Sequence, residues 1–154
     1  MYVTVLSALP HGLDGRLVEV QCDSTSAVPV INVVGLPAAS IKEARDRIPS
    51  AFRNCGLELP KRKFTINLAP AELRKEGAGL DLAMAVAIWL AGQGRAAPAG
   101  VAFVGQLGLD GSVRHVDGVL IAALRLRAAG VRELYVGAAD AAEAALAEGL
   151  AVRP

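Results

Sequence analysis

The strongest constraint on the fold is that the hydrophobic period changes along the chain. Apolar and polar residues alternate over residues 2–8 and 16–22, on either side of the turn "PHGLDG", which predicts a β-hairpin. Residues 28–36 and 61–69 are two further predicted strands. Over residues 40–54, in contrast, apolar side chains recur at helical spacing. Because strands in a run are followed by helices and strands in alternation, the sequence predicts an α/β fold, an α+β sandwich of one layer on another.

The second half of the chain continues this alternation. Residues 80–91, 119–129 and 140–148 are predicted helices, the last with Asp140 as its N-cap. The segment "VAFVGQLGLDGSVRHV" predicts a strand, a tight Asp-Gly turn and a short returning strand, and "ELYVG" predicts one strand more.

Pro49 lies inside the helix predicted for residues 40–54. An interior proline removes a helical hydrogen bond and costs about 3 kcal/mol. We therefore expect the helix to be kinked there, or broken near Ile48.

Composition excludes several classes of function. The 154 residues are 53% hydrophobic and 20% charged, which is typical of one soluble globular domain and not of a disordered chain. No apolar stretch approaches the roughly 18 residues of a membrane helix. The two cysteines have no CxxC or Cys/His spacing, so we expect free structural thiols in a reducing cytoplasm and no metal site.

Charge is balanced overall but unevenly distributed. The net charge of +1 gives no whole-molecule attraction to nucleic acid or to a membrane. Between Lys42 and Lys75, however, there are nine cations and four anions. This local excess is a hint of a basic face.

The most informative segment is "NLAPAELRKEGAGLDLAMAVAI", residues 67–88. A predicted strand ends there in a proline-containing loop, two cations and an acid follow, and a helix begins after two glycines. Loops of this kind often present a catalytic nucleophile, but Gly79 occupies the position where one would lie. The chain also has no G-x-x-x-x-G-K-[ST] string, so no nucleotide-binding P-loop is predicted.

Five segments resemble those of one protein family and occur in its order: "VVGLP", "IKEARDRI", "NLAPAELRKEG", "LDLAMAVAI" and "FVGQLGLDGSVR". The family is the amino-terminal domain of the ComM/YifB proteins, bacterial magnesium-chelatase-like AAA+ ATPases, and the resemblance covers nearly the whole chain. It implies that residues 1–154 are one domain of a longer protein. It also implies that ATP and Mg²⁺ bind only in an ATPase domain outside this chain, which itself holds no cofactor or metal.

The family's domain is similar in fold to the proteolytic domain of Lon, which implies a mixed sheet with helices packed on it. Lon-type proteases use a Ser–Lys dyad, in which a desolvated lysine of lowered pKa removes the proton of the serine hydroxyl. In register with the Lon motifs, Gly79 stands where the serine would be and Leu120 where the lysine would be. The resemblance therefore implies a degenerate dyad and no protease activity.

Other polar residues near these positions are predicted to have no catalytic role. Lys75 and Glu76 are interpreted as a solvated charged pair on the loop. His11 and His115 are interpreted as surface or hydrogen-bonded histidines.

Cations remain as candidates for a contact surface. They could meet DNA phosphates or a neighbouring subunit, and no interleaved aromatic residues predict base stacking. A purely structural role is the alternative for the "LRKEG" loop, whose polar residues, proline and glycines would then only shape the backbone. The candidates are Lys61, Arg62, Lys63, Arg74 and Lys75.

For function, the resemblance implies a non-catalytic accessory domain of a ring-forming motor, a DNA branch-migration helicase of natural transformation or recombination. The alternative is an oligomerisation or protein-interaction module that does not touch nucleic acid. The expected partners are the protein's own carboxy-terminal AAA+ domain, further copies in a ring and, under the first hypothesis, DNA. We expect a cytoplasmic location and no membrane contact.

Overall fold

The computed structural model describes residues 1–154, which form nine strands and five α-helices. The helices are α1 (Ala39–Lys42), α2 (Ala44–Asn54), α3 (Asp81–Gln93), α4 (Val119–Ala128) and α5 (Ala141–Ala144). The strands are β1 (Tyr2–His11), β2 (Asp14–Thr25), β3 (Val30–Val34), β4 (Lys63–Ala69), β5 (Val101–Phe103), β6 (Gln106–Leu107), β7 (Val113–Arg114), β8 (Glu133–Tyr135) and β9 (Ala151–Arg153).

Seven strands form one mixed sheet in the order β3-β4-β2-β1-β5-β8-β9. The hairpin β1–β2 and the pair β2–β4 are antiparallel, and the other four neighbouring pairs are parallel. Strands β6 and β7 form a separate antiparallel pair around the Asp-Gly turn. The predicted α/β fold, with a mixed sheet and helices packed on it, is confirmed.

Helices cover both faces of the sheet at its centre. The alternating side chains of β1 show this, because they belong to two different apolar clusters. Val3 and Val5 are buried in the larger apolar cluster, which also holds residues of α2 and α3. Ala8 belongs to the second cluster, with residues of α4, β5 and β8, and Leu6 packs against it. Because neighbouring side chains of a strand point to opposite faces, α3 and α4 cover opposite sides of β1 and β2.

The break expected near Ile48 was wrong. The helix is interrupted at Glu43, between α1 and α2, and Pro49 lies within α2. Proline at this position leaves the carbonyl four residues earlier, that of Arg45, without its helical donor. Because Arg45 is exposed, water can bond to that carbonyl and the helix continues.

The carboxy-terminal segment differs from its prediction in two ways. The helix expected over residues 140–148 is a 3₁₀ turn (Ala138–Asp140) followed by the short α5, and Asp140 makes no side-chain capping bond. Strand β9 was not predicted, because three residues are too few to show a period of two. It pairs with β8 and forms one edge of the sheet.

None of the helices combines the length and the apolar character needed to cross a membrane.

Candidate functional site

The loop before α3 forms one wall of a cavity of about 310 Å³. The end of β1 forms a second wall, and residues 115–119, which lead into α4, form a third. Backbone bonds tie the loop to the end of β5: the Gly105 amide donates to the Gly79 carbonyl (2.9 Å), and the Leu82 amide donates to the Gly105 carbonyl (3.0 Å). The fold thus brings together two segments that are far apart in sequence.

Gly79 and Leu120 occupy different environments. Gly79 is buried and lines the cavity, and a Cβ added there would be 3.7 Å from Val116 Cγ1, so a small side chain would fit. Leu120 does not line the cavity but packs against the apolar cluster of α4, and its amide donates to Glu143 (3.2 Å). Val119 faces the cavity instead. A lysine at position 120 would therefore extend from a residue that does not line the cavity.

The cavity lining contains no serine, threonine, cysteine or lysine. Its polar side chains are those of Glu76, Gln106, His115 and Asp117. A carboxylate and an imidazole can bind a ligand or hold a proton, but an acyl-transfer nucleophile of the Ser–Lys type is not among them.

His115 is held between two carboxylates, an arrangement that the sequence did not indicate. Its Nδ1 contacts Asp140 Oδ1, and its Nε2 lies 3.1 Å from Asp117 Oδ1. Asp140 is buried and also accepts a bond from the Val116 amide (2.9 Å). An ionised carboxylate only accepts hydrogen bonds, so two such neighbours favour the imidazolium, which donates from both nitrogens. The bond to Asp140, followed by that to Asp117, raises the pKa of His115.

The stability of the domain should therefore fall as His115 loses its proton. A pKa raised in the folded state means that the contribution is fully present below the unfolded-state value of about 6.5 and is lost as pH rises through the higher folded-state value. We expect the free energy of unfolding of the wild type, relative to His115→Gln, to decrease as pH rises above about 6.5. Denaturant titrations of both proteins measure this, and parallel pH profiles would contradict it.

A buried ion pair fixes the start of α3, directly after the loop. Arg47 Nε donates to Asp81 Oδ2 (2.8 Å) and Arg47 Nη2 to Asp81 Oδ1 (2.9 Å), a two-pronged contact between α2 and α3. Asp81 Oδ2 also accepts a bond from the Leu107 amide (3.0 Å) in β6. The hydrogen bond to Asp81 is the main reason that the pKa of Arg47 is raised. One carboxylate thus joins three elements, α2, α3 and β6.

Lys75 is not a surface residue, and both its predicted contact role and its interpretation as a solvated pair with Glu76 need correction. Its side chain is 0% exposed, and Nζ donates to the carbonyls of Gly35 (2.7 Å) and Pro70. Its backbone exchanges bonds with Leu36 and Ala38, which ties the loop to the segment after β3. Desolvation lowers its pKa. Buried in this way, Lys75 cannot meet a DNA phosphate.

The other loop cation, Arg74, is exposed, with Nε 3.1 Å from Glu76 Oε1. Lys61, Arg62 and Lys63 lie at the opposite end of β4, before or at its first residue. At about 3.3 Å per residue, the length of β4 separates the two groups by about 20 Å. The five predicted contact cations therefore do not form one patch.

Comparison with known proteins identifies relatives of the chain. Residues 18–140 match the family described as subunit ChlI of Mg-chelatase. An uncharacterized protein of Mycobacterium tuberculosis is 40% identical over 96% of this chain and 30% of its own length. Protein YifB of Salmonella typhimurium is 40% identical over 88% of the chain and 27% of its own length. Competence protein ComM of Haemophilus influenzae is 37% identical over 92% of the chain and 28% of its own length. The chain thus spans about 30% of the length of these relatives.

Proposed function

The chain belongs to the ComM/YifB family of magnesium-chelatase-like proteins, and on this premise we propose that it is a non-catalytic accessory domain of a longer AAA+ ATPase. In this proposal the domain assists DNA binding, ring assembly or both in a DNA branch-migration helicase of transformation or recombination. ATP and Mg²⁺ bind in the ATPase domain of the same protein. The protein works in the cytoplasm, as a ring of identical subunits.

One observation carries the non-catalytic part of the proposal. The cavity at the position of the Lon-type serine has the buried Gly79 in place of a nucleophile, and no lysine lines it. Proton abstraction from a hydroxyl needs both an acceptor of suitable pKa and the hydroxyl itself. The cavity offers His115 as a polar group but nothing for it to activate.

Support for the motor comes from the relatives. They are more than three times as long as the aligned segment, which leaves room for an ATPase domain. The Haemophilus influenzae relative is a competence protein by name, which favours a role in natural transformation. A module that only assembles subunits is the second candidate, favoured by the near-zero net charge of the chain.

A comparison of the full-length protein with a variant that lacks residues 1–154 distinguishes the two candidate functions. DNA affinity and particle mass are measured on the same samples, by fluorescence anisotropy and light scattering. Under the leading proposal, the deletion weakens DNA binding beyond any change in ring size. If the rings are lost and the remaining subunits bind DNA as before, the domain is an assembly module. Unchanged affinity and mass would contradict both.

Restoring the dyad residues should not create a protease. Gly79→Ser has room for its side chain, but Leu120→Lys starts outside the cavity lining, and catalysis also needs oxyanion donors placed to a fraction of an ångström. We expect the double variant to fold and to leave an unstructured protein substrate uncut. Cleavage by the double variant, with none by Gly79→Ser alone, would show that the rest of a proteolytic site is intact.

A further inference from the structure

We propose that a groove between α2 and the start of β4 binds the phosphates of a nucleic-acid backbone through Arg45 and Arg62. The inference rests on the proposed function and names the surface through which the domain would meet DNA. The five cations predicted from the sequence lie at opposite ends of β4, whereas Arg45 and Arg62 line one groove.

The groove encloses about 330 Å³. One wall is α2, with Arg45 and Pro49, and the other is formed by residues around β3 and the approach to β4, including Arg62. Its two charged residues are both arginines, and no acidic residue lines it. The remaining lining is aliphatic, proline or the buried Phe64.

Arg62 carries an unsatisfied donor in this groove. Its Nε is buried and has no hydrogen-bond partner, the sole such side-chain nitrogen or oxygen in the structure. Buried donors without a partner are rare and costly. A guanidinium has five N–H donors in a planar fork that matches two oxygens of a phosphate. An anion entering the groove would accept hydrogen bonds from the terminal Nη donors of Arg62, which belong to the same guanidinium as the buried Nε.

Arg45 also has hydrogen-bond donors without a protein partner. It is exposed, its one side-chain bond runs from Nε to the Lys42 carbonyl of the preceding turn (3.2 Å), and its Nη donors have no protein partner. Neither arginine belongs to any ion pair. Arg47, on the same helix as Arg45, is in contrast paired with two carboxylates, those of Glu43 and Asp81.

Positive charge continues beyond the groove. A second, more open groove shares Pro49 and Leu59 with it and adds one cation, Arg53, and one acid, Glu58. Lys61, next to Arg62, is also exposed and outside every ion pair. A strip of several cations suits a polyanion better than one isolated anion.

The residues that line the two grooves indicate which part of the nucleic acid they contact. No exposed aromatic ring lines either groove, so bases have no surface on which to stack. The contacts are therefore to phosphates and independent of sequence. The acidic surface of a second copy of the chain is the competing occupant, and it becomes an outcome of the test.

The test compares two double variants of the full-length protein in DNA titrations over a salt series. Arg45→Gln/Arg62→Gln removes the groove charges and keeps the side-chain stems. Arg95→Gln/Arg132→Gln removes the same charge from two exposed, unpaired arginines elsewhere. We expect the groove variant to bind DNA about tenfold or more weakly and to lose about two units of slope in log affinity against log salt concentration. The control should lose neither.

Three results would overturn the inference. Equal DNA binding by the groove and control variants would remove the groove from the interface while leaving the proposed function intact. Failure of the groove variant to form rings, with DNA binding by the subunits retained, would assign the groove to a second copy of the chain. Absence of DNA binding by the wild type would refute the DNA role itself. Arg62→Lys guards against misfolding, because it keeps the charge: it should retain the salt slope and lose part of the affinity.

Discussion

Replacing Asp81 by alanine should lower the free energy of unfolding by about 3–5 kcal/mol, among the largest effects expected of a single substitution in this chain. Asp81 is 1% exposed, and its removal leaves the partly buried guanidinium of Arg47 without its two-pronged partner. The Leu107 amide in β6 loses its acceptor at the same time. Removal of one member of a buried pair is costly because the other charge stays buried. Urea denaturation of the purified domain measures the change.

Two further variants test whether the buried pair is the cause. Glu76→Ala breaks the exposed pair with Arg74 and should cost less than about 1 kcal/mol. The double variant Arg47→Met/Asp81→Leu removes both buried charges and should be more stable than Asp81→Ala, since no charge is left unpaired. A stability of Asp81→Ala within about 1 kcal/mol of the wild type would show that water reaches and solvates Arg47.

Replacing Lys75 by alanine should destabilise the domain by about 2–4 kcal/mol, because each hydrogen bond from a charged donor contributes about 1.5–3 kcal/mol. The carbonyls of Gly35 and Pro70 would lose their shared donor, and a fully buried side chain would leave a void. Arg74→Ala is the matched control at the neighbouring exposed position and should change stability by less than about 1 kcal/mol. Thermal or denaturant melts compare the two.

The same pair of variants separates a structural lysine from a contact residue. If Lys75→Ala kept wild-type stability and weakened DNA binding, the burial of Lys75 would not describe the protein in solution. Loss of stability in Lys75→Ala alone would show that this loop is held by its lysine, with Arg74 free on the surface.

Local patterns explain which parts of the fold could be predicted from the sequence. The β1–β2 hairpin and α3 have long, uninterrupted periods, and both were predicted within a few residues of their observed ends. Strand β9 has three residues and could not show a period. The interruption at Glu43 lies between Ile41 and Ala44, inside a run whose apolar residues keep helical spacing. Tertiary packing, not propensity, decides such positions.

The site was harder to predict because its contacts join distant residues. Gly79 was found through a motif. The partner of His115 is Asp140, 25 residues away, and in the sequence Asp140 looked like an N-cap. Lys75 looked solvated because its neighbours are charged, yet its acceptor at Gly35 is 40 residues away. Gly35 itself fits only as glycine, since a Cβ there would lie 2.3 Å from the Leu68 carbonyl oxygen.

We propose that this domain contributes to DNA binding without chemistry of its own. The most direct test of this proposal is a titration of fluorescently labelled DNA with residues 1–154 alone, over a series of decreasing salt concentrations. We expect weak binding that tightens steadily as salt is lowered, with a slope of a few units in log affinity against log salt concentration, because only a few phosphates are contacted. No binding at the lowest salt, at protein concentrations where the domain is folded, would contradict it.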